Sequence, residues 1–178
     1  SGNIGSVRIG QKIGEEKFRS FLSKVGVLEK INFDIEEVGT PIKFNWGKCP
    51  LATASFGHGI TTTLLQLAKA YSIIVNGGYQ INPSFIRKAQ KEKKDKILNE
   101  DVSKKILPIL RKIVNTEDGT ASLANVSGYE IGGKTGTAQK SISGSYSRKK
   151  INSFISVFPT SKPKFVLAVM LDEPKTNQ

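Results

Sequence analysis

Apolar residues recur at helical spacing in the first part of the chain. One stripe follows the spacing i, i+3, i+4, i+7 and predicts an amphipathic helix: Phe18, Phe21, Leu22 and Val25. The acidic residues of the segment 14–16 suit the first turn of this helix, and Gly26 suits its end. A shorter helix is expected over residues 4–9. Residues 28–50 are expected to form a loop with one short strand near Phe33.

Two further helices are predicted in the middle of the chain. The stronger one has a threonine cap within residues 61–63, an apolar stripe from Leu64 to Ile74, and a stop at Asn76-Gly77-Gly78. Residues 52–60, which precede this helix, are small and glycine-rich. The second helix begins at Asn99 or Asp101 and has apolar residues on one face as far as Val114. Pro108 is expected to kink it.

The hydrophobic period changes from helical to two in the last third of the chain. Residues 129–139, 151–158 and 164–171 are predicted to form three antiparallel strands. A mobile surface loop is expected over residues 140–150 and a tight turn over residues 161–163. Helices followed by a strand meander predict an α+β fold, an antiparallel sheet packed against helices, and not a βαβ arrangement.

Composition narrows the class of protein. The chain has 178 residues, 38% hydrophobic and 24% charged, which is typical of one globular domain or a piece of one. It has no run of about 18 apolar residues of the kind that spans a membrane. Cys49 is the single cysteine and His58 the single histidine, so an internal disulfide framework and a two-histidine metal site are excluded. No metal or cofactor is expected.

The net charge leaves a second class of function open. The chain has 27 basic and 15 acidic residues, a formal charge of +12, which favours anionic partners. A basic module that binds nucleic acid or another anionic polymer is therefore one alternative. It would need exposed aromatic residues among its cations, and the aromatic residues here fall at buried positions of the pattern. No nucleic-acid partner is expected.

The segment Lys134-Thr135-Gly136-Thr137 carries the clearest candidate chemistry. It is preceded by Gly132 and Gly133, and glycine inside a strand indicates a bulge or the close approach of another backbone. The strand pleat places Thr135 and Thr137 on one side and Lys134 on the other. Two hydroxyls and an ammonium beside a sheet edge can bind a peptide carboxylate. Taken alone, the segment also fits an ordinary strand with a solvent-facing lysine.

Several motifs in fixed order resemble one family. Lys-Thr-Gly, together with a Ser-x-Asn-type triplet, is part of the signature of penicillin-binding proteins and related β-lactamases. The chain is similar over nearly its whole length to the class B penicillin-binding proteins, and Ser-Phe-Gly-x-Gly favours their septal, division branch. The segments that carry the resemblance are residues 1–4, 10–26, 52–60, 63–71, 76–78, 119–121, 132–139, 154–159 and 171–174.

The resemblance implies that residues 1–178 are the C-terminal part of a transpeptidase domain, truncated at both ends. No Ser-x-x-Lys in the chain is suited to serve as the family's nucleophile motif, so this piece alone is expected to be inactive. The parent would be a serine-type D-Ala-D-Ala transpeptidase that cross-links peptidoglycan stem peptides. The same fold also serves β-lactamases and β-lactam sensors, and these residues do not separate the three.

The resemblance assigns catalytic roles to three residues. Ser1 would relay a proton between the leaving amine and a lysine, because a hydroxyl both donates and accepts. Asn3 would hold the substrate amide through its carboxamide. Lys134 would support the Ser1 hydroxyl and attract a carboxylate. The opening triplet, Ser1-Gly2-Asn3, and this lysine would therefore meet at one pocket.

The resemblance assigns substrate-binding roles to the other residues of the motif. Thr135 and Thr137 would hydrogen-bond the terminal carboxylate, and the Thr137 N–H would form half of the oxyanion hole. Gly136 would keep a side chain out of the substrate's path. The implied partners are peptidoglycan stem peptides, β-lactam antibiotics, the upstream half of the domain and, as candidates, cell-division proteins. The implied parent is anchored in the bacterial cytoplasmic membrane with its catalytic domain outside, in the periplasm.

Overall fold

The structure is a computed structural model that describes residues 2–35, 39–87, 95–142 and 145–175, with backbone only at 141, 142, 145 and 146. The chain divides into two compact units. The first comprises Ser1–Ala70 and Ile81–Lys93, and the second comprises Tyr71–Gln80 and Lys94–Gln178. No helix in the described part of the chain combines the length and apolar character needed to cross a membrane.

Helices dominate the first unit. They are α1 (Asn3–Ile13), α2 (Glu15–Lys24), α3 (Lys48–Ala54) and the start of α4 (Leu64–Val75), which continues into the second unit. The predicted helices α1, α2 and α4 are confirmed. Sequence reasoning missed α3, whose Pro50 read as a loop signal. Proline is tolerated in a first turn because the N–H groups there have no partner within the helix.

The strand expected near Phe33 is wrong, because the described residues there form bends and irregular backbone. The chain in this region is held by other contacts. The Phe33 ring packs against Phe85 in a tilted arrangement, with centroids 4.7 Å apart, and the Asp34 carboxylate accepts a hydrogen bond from the Ser84 hydroxyl at 2.8 Å. Side chains therefore order this segment without a strand ladder.

In the second unit, the helix α5 (Glu100–Asn115) precedes the strands of the sheet in the chain. The Asn99 carboxamide caps it by accepting from the Asp101 N–H at 2.9 Å, which satisfies a donor that a helix start leaves unpaired. The helix continues through Pro108. A short 3-10 turn, Ser122–Ala124, follows.

The sheet has three antiparallel strands in the order β1-β2-β3: β1 (Gly132–Ile142), β2 (Ser145–Phe158) and β3 (Phe165–Asp172). The α+β class is confirmed. The loop expected over residues 140–150 is wrong, because β1 continues to Ile142, β2 begins at Ser145, and the two strands pair antiparallel there. A ladder of backbone hydrogen bonds needs no apolar side chain, so a hairpin of serine and lysine gives no alternating signal.

The two faces of the sheet differ. One face is the core of the second unit, where Val157 packs with Leu110 of α5 and Val75 of α4. We call the opposite side the outer face. Cross-strand register places on it Thr135 beside Phe154 and Val169, and Thr137 beside Asn152 and Leu171, with Leu167 two residues before Val169.

Candidate active site

The Lys-Thr-Gly-Thr segment lies on β1, at the edge of the sheet. β1 hydrogen-bonds to β2 on one side, and no other described strand pairs with its second side. The exposed N–H and C=O groups of an edge strand are a ready template for an extended peptide. Among the described strands, none occupies the side of β1 where the sequence predicts that a peptide binds.

The glycines before the lysine are explained by close packing within the protein. A Cβ atom at Gly132 would lie 3.0 Å from the Arg111 backbone nitrogen in α5, and one at Gly133 would lie 2.7 Å from the Ile155 carbonyl oxygen. The expected close approach of another backbone is thus confirmed, and the neighbours are α5 and β2. These two glycines seat the start of β1 against its supporting elements.

Arg111 ties the same region together from the helix side. Its guanidinium donates to the Ile131 carbonyl at 2.8 Å and to the Asn125 side-chain oxygen at 3.2 Å. The backbone just before β1 is therefore held by α5 and by the turn that follows it. The motif begins at Lys134, three residues after the anchored Ile131 carbonyl. The position of the motif along β1 is therefore fixed by this anchor.

Lys134 is half-buried, and its ammonium group donates to the Thr135 carbonyl oxygen at 2.8 Å. This bond draws the lysine side chain along its own strand. An ammonium carries three donors, so two remain for other groups. A lysine held in this way is a positioned source of positive charge at the sheet edge.

Thr135 and Thr137 lie on the outer face, as the pleat predicts. The Thr135 hydroxyl donates to the Thr120 hydroxyl at 3.3 Å. Sequence reasoning missed Thr120, although the triplet 119–121 was part of the resemblance. A contact between residues fifteen positions apart needs the turn geometry, and the sequence pattern does not contain it.

A groove of about 680 Å³ opens beside these threonines. It runs across the outer face from the turn after α5 to β3 and is mostly apolar. Its lining residues are Thr120, Ala121, Leu123, Ala124, Thr135, Gly136, Thr137, Asn152, Ser153, Phe154, Val169 and Leu171. An apolar cleft with a few polar groups is the usual form of a small-ligand site.

A second groove, of about 560 Å³, continues from Thr137 toward a charged hairpin and includes Arg148. Lys149 and Lys140 each lie 2.9 Å from a Glu173 carboxylate oxygen. Hydrogen bonds from Lys149 and then Lys140 hold the pKa of Glu173 below its usual value. The carboxylate therefore stays ionised and offsets part of the local positive charge.

The remaining predicted residues lie in the first unit or outside the described structure. Ser1 is outside the described residues. Asn3 is exposed and is the first residue of α1. The meeting of Ser1 and Asn3 with Lys134 stays a prediction.

Two segments match Ser-x-x-Lys by letters, but their backbone does not suit the motif. Ser147 to Lys150 lies on strand β2, and Ser161 to Lys164 lies in the turn between β2 and β3. A lysine three residues after a serine shares its face in a helix, whereas a strand points the two side chains to opposite sides. Neither segment supplies a nucleophile with an adjacent lysine.

Among the described residues, no three or more histidine, cysteine, aspartate or glutamate side chains cluster in a way that could hold a metal ion. The polar groups at the motif are the Lys134 ammonium, threonine hydroxyls and backbone N–H groups of the edge strand. Such groups bind carboxylates and stabilise oxyanions.

Comparison with known proteins identifies the family. The family model for the penicillin binding protein transpeptidase domain matches residues 1–178. The chain is 31% identical over 189 aligned residues to the probable peptidoglycan D,D-transpeptidase FtsI of Caulobacter vibrioides, covering 99% of this chain and 32% of that protein. It is 35% identical to stage V sporulation protein D of Bacillus subtilis, covering 97% of this chain and 29% of that protein.

A solved structure gives the same result. The transpeptidase domain of Burkholderia pseudomallei penicillin-binding protein 3 superposes with a TM-score of 0.89 and 28% identity, covering 97% of this chain and 54% of that domain structure. The chain thus spans about a third of the length of its curated relatives. The resemblance inferred from the motifs is confirmed, and the chain belongs to the family of penicillin-binding protein transpeptidase domains.

Proposed function

We propose that the polypeptide containing these residues is a peptidoglycan D,D-transpeptidase, a serine enzyme that β-lactams acylate. The observation that carries the proposal is the Lys-Thr-Gly-Thr segment on a sheet edge, with both threonines facing one groove. The family match and the named D,D-transpeptidase relatives support the same reaction.

A stem peptide ending in D-Ala-D-Ala binds along β1 as an added strand. The hydroxyls of Thr135 and Thr137 hydrogen-bond its terminal carboxylate, and the Lys134 ammonium supplies attractive charge. Hydrogen bonds to a charged group typically contribute about 1.5–3 kcal/mol each. Because Gly136 has no side chain, the peptide backbone can approach the strand closely.

The Thr137 N–H donates to the oxyanion that forms when a serine attacks the scissile carbonyl. The nucleophile's own N–H supplies the second donor. Removing one such donor typically costs about 3 kcal/mol in the rate. Ser1 relays the proton to the leaving D-alanine amine, and Asn3 holds the substrate amide.

The serine belongs to the remainder of the domain. The parent is anchored in the cytoplasmic membrane, acts on the periplasmic side and works with cell-division proteins. Residues 1–178 by themselves form no acyl-enzyme, since neither letter match to Ser-x-x-Lys has a helical backbone.

The test is acylation of the complete encoded polypeptide by a fluorescent penicillin. Lys134→Ala is expected to abolish labelling on the assay timescale. Thr137→Val removes one hydroxyl with little change of shape, and it should slow acylation roughly 10- to 100-fold, the range that corresponds to about 1.5–3 kcal/mol. Thr53→Val, the same substitution at an exposed helix position in the first unit, is the control and should leave the rate unchanged.

A complete polypeptide that takes up no label would contradict the proposal, and so would equal rates for the Thr137→Val and Thr53→Val variants. Covalent label on a serine of the isolated 178-residue chain would contradict the assigned position of the nucleophile. Persistence of the label separates a transpeptidase from a β-lactamase, which hydrolyses the acyl-enzyme and loses it rapidly.

A further inference from the structure

The second groove, which meets the substrate groove at Thr137, carries more positive than negative charge. The two grooves share Thr137 and Asn152 in their linings, so one leads directly into the other. The substrate groove is mostly apolar, whereas three of the seven residues that line the second groove are cationic. The other lining residues of the second groove are Arg148, Lys149, Lys150, Glu173 and Pro174. This groove therefore favours an anionic group.

Two of the cations at this groove have no partner in the described part of the chain. Lys140 and Lys149 each lie 2.9 Å from a Glu173 carboxylate oxygen, so these two lysines offset the negative charge of Glu173. The side chains of Arg148 and Lys150 form no ion pair or hydrogen bond with any described residue, and both are exposed. Their charge is therefore available to a ligand.

Cross-strand register sets the spacing along the groove. Thr137 pairs with Asn152, and Gln139 pairs with Lys150. Lys150 therefore lies two residues beyond the level of Thr137 and on the same face, because side chains alternate along a strand. Two residues of an extended strand span about 7 Å.

A peptide with its terminal carboxylate at Thr137 would extend toward this groove. The start of β1 packs closely against α5, since a Cβ atom at Gly132 would lie 3.0 Å from the Arg111 backbone nitrogen. Beyond Thr137 the second groove continues instead. In a peptide that runs antiparallel to β1, the third residue from the C-terminus lies about 7 Å before the last one. That residue would be level with Lys150.

We propose that Arg148 and Lys150 bind a second carboxylate of the stem peptide, carried by the side chain of its third residue from the C-terminus. This inference rests on the proposed function, because it takes the D-Ala-D-Ala end to bind at Thr135 and Thr137. Arginine and lysine both form charge-assisted hydrogen bonds with carboxylates. A neutral side chain at the third position gains no such bonds. The two cations therefore select among stem peptides.

The test compares two peptides that differ by one charge. N-acetyl-Glu-D-Ala-D-Ala and N-acetyl-Gln-D-Ala-D-Ala have nearly the same shape, and only the first carries a carboxylate at the third position. Their dissociation constants are measured by NMR titration of the complete encoded polypeptide. Exposed ion pairs are individually weak, so the glutamate peptide should bind roughly fivefold more tightly than the glutamine peptide.

Removal of the two cations should remove the preference. In the double variant Arg148→Gln with Lys150→Gln, the ratio of the two dissociation constants should fall close to one. Lys150→Arg keeps the charge and should keep most of the preference. The control is Lys105→Gln with Lys164→Gln, which removes two positive charges from exposed positions that line neither groove. The control should keep the ratio of the unaltered polypeptide.

Several results would overturn the inference. They are equal binding of the two peptides by the unaltered polypeptide, binding of neither peptide, and an unchanged ratio in the double variant. An equal loss of preference in the control would also overturn it, because it would assign the preference to net charge. The peptide N-acetyl-Glu-Gln-D-Ala-D-Ala carries its carboxylate at the fourth position. Tighter binding of this peptide than of N-acetyl-Glu-D-Ala-D-Ala would overturn the assignment to the third residue.

Fluorescent-penicillin labelling of the same preparations separates this inference from the proposed function. A polypeptide that is acylated but binds the glutamate and glutamine peptides equally contradicts the inference alone. A polypeptide that prefers the glutamate peptide through Arg148 and Lys150, and takes up no penicillin, contradicts the function alone.

Discussion

Glycine 133 offers a direct test of how the motif strand is seated. A Cβ atom there would lie 2.7 Å from the Ile155 carbonyl oxygen and 2.8 Å from two carbons of the Phe154 ring. The carbonyl belongs to the paired strand and cannot rotate away. Gly133→Ala must therefore push β2 or the Phe154 ring outward. We expect this smallest of substitutions to destabilise the second unit.

The magnitude follows from two opposing effects. Overpacking a tight site typically costs about 1–3 kcal/mol. Replacing glycine by alanine lowers the entropy of the unfolded chain and returns about 0.4–1 kcal/mol. The net expectation for Gly133→Ala is a loss of about 1–2 kcal/mol in the free energy of unfolding.

Gly5→Ala is the matched control. Gly5 lies within α1, and apart from its neighbours in the chain and the backbone of its own helix, no atom would lie within 4 Å of an added Cβ. Alanine is favoured over glycine inside a helix by about 0.8–1 kcal/mol. The same chemical change should therefore stabilise the first unit while Gly133→Ala destabilises the second.

The measurement uses a separate probe for each unit. Trp46, the single tryptophan, reports urea unfolding of the first unit by fluorescence. Amide hydrogen exchange along β1 reports opening of the second unit. If Gly133→Ala leaves the stability of the second unit unchanged or raises it, close packing does not explain the glycine at this position.

Three further changes test other contacts. Gln66 is fully buried, and its carboxamide donates to the carbonyls of Val27 and Glu29, so Gln66→Leu should lower the unfolding free energy of the first unit by about 2–4 kcal/mol in urea titrations. Lys149→Ala removes the main cause of the low pKa of Glu173, so carboxyl NMR should show that pKa rising. The stabilisation from this carboxylate is present above its unfolded pKa and is lost as pH falls through its folded pKa. Thr120→Val should slow penicillin acylation of the complete polypeptide less than Thr137→Val does, because Thr120 supports the Thr135 hydroxyl, whereas Thr137 is the residue proposed to bind the carboxylate.

The elements that sequence predicted best are those with one buried face. The stripe on α4 arises because burial selects apolar residues at the period of the helix. The short apolar runs of β2 and β3 identify these segments as strands. The parts of β1 and β2 within residues 140–150 were missed for the converse reason. Their serines and lysines do not alternate with apolar residues, and they are specified by backbone pairing and the register of neighbouring segments.

The site shows a similar division. The sides occupied by Lys134 and by the two threonines follow from the pleat alone, and the structure confirms them. The Thr120 contact depends on turn geometry. The Asn152 side-chain oxygen, which accepts no hydrogen bond from the described residues, depends on packing across three strands. No local pattern encodes a distance between residues that the chain brings together only after folding.

The glycine pair and the polar motif meet two opposite requirements of one strand. An edge that receives a peptide must present unpaired backbone groups, and such an edge is prone to fray or to pair with other chains. Gly132 and Gly133 offset this because they let α5 and β2 approach the start of β1 closely. Close packing at the start of β1 thus supports a strand whose second side is free for the proposed peptide, with the Thr137 N–H in the position that the proposal requires. Substitutions at the glycines should therefore impair acylation even though neither residue is expected to touch the substrate.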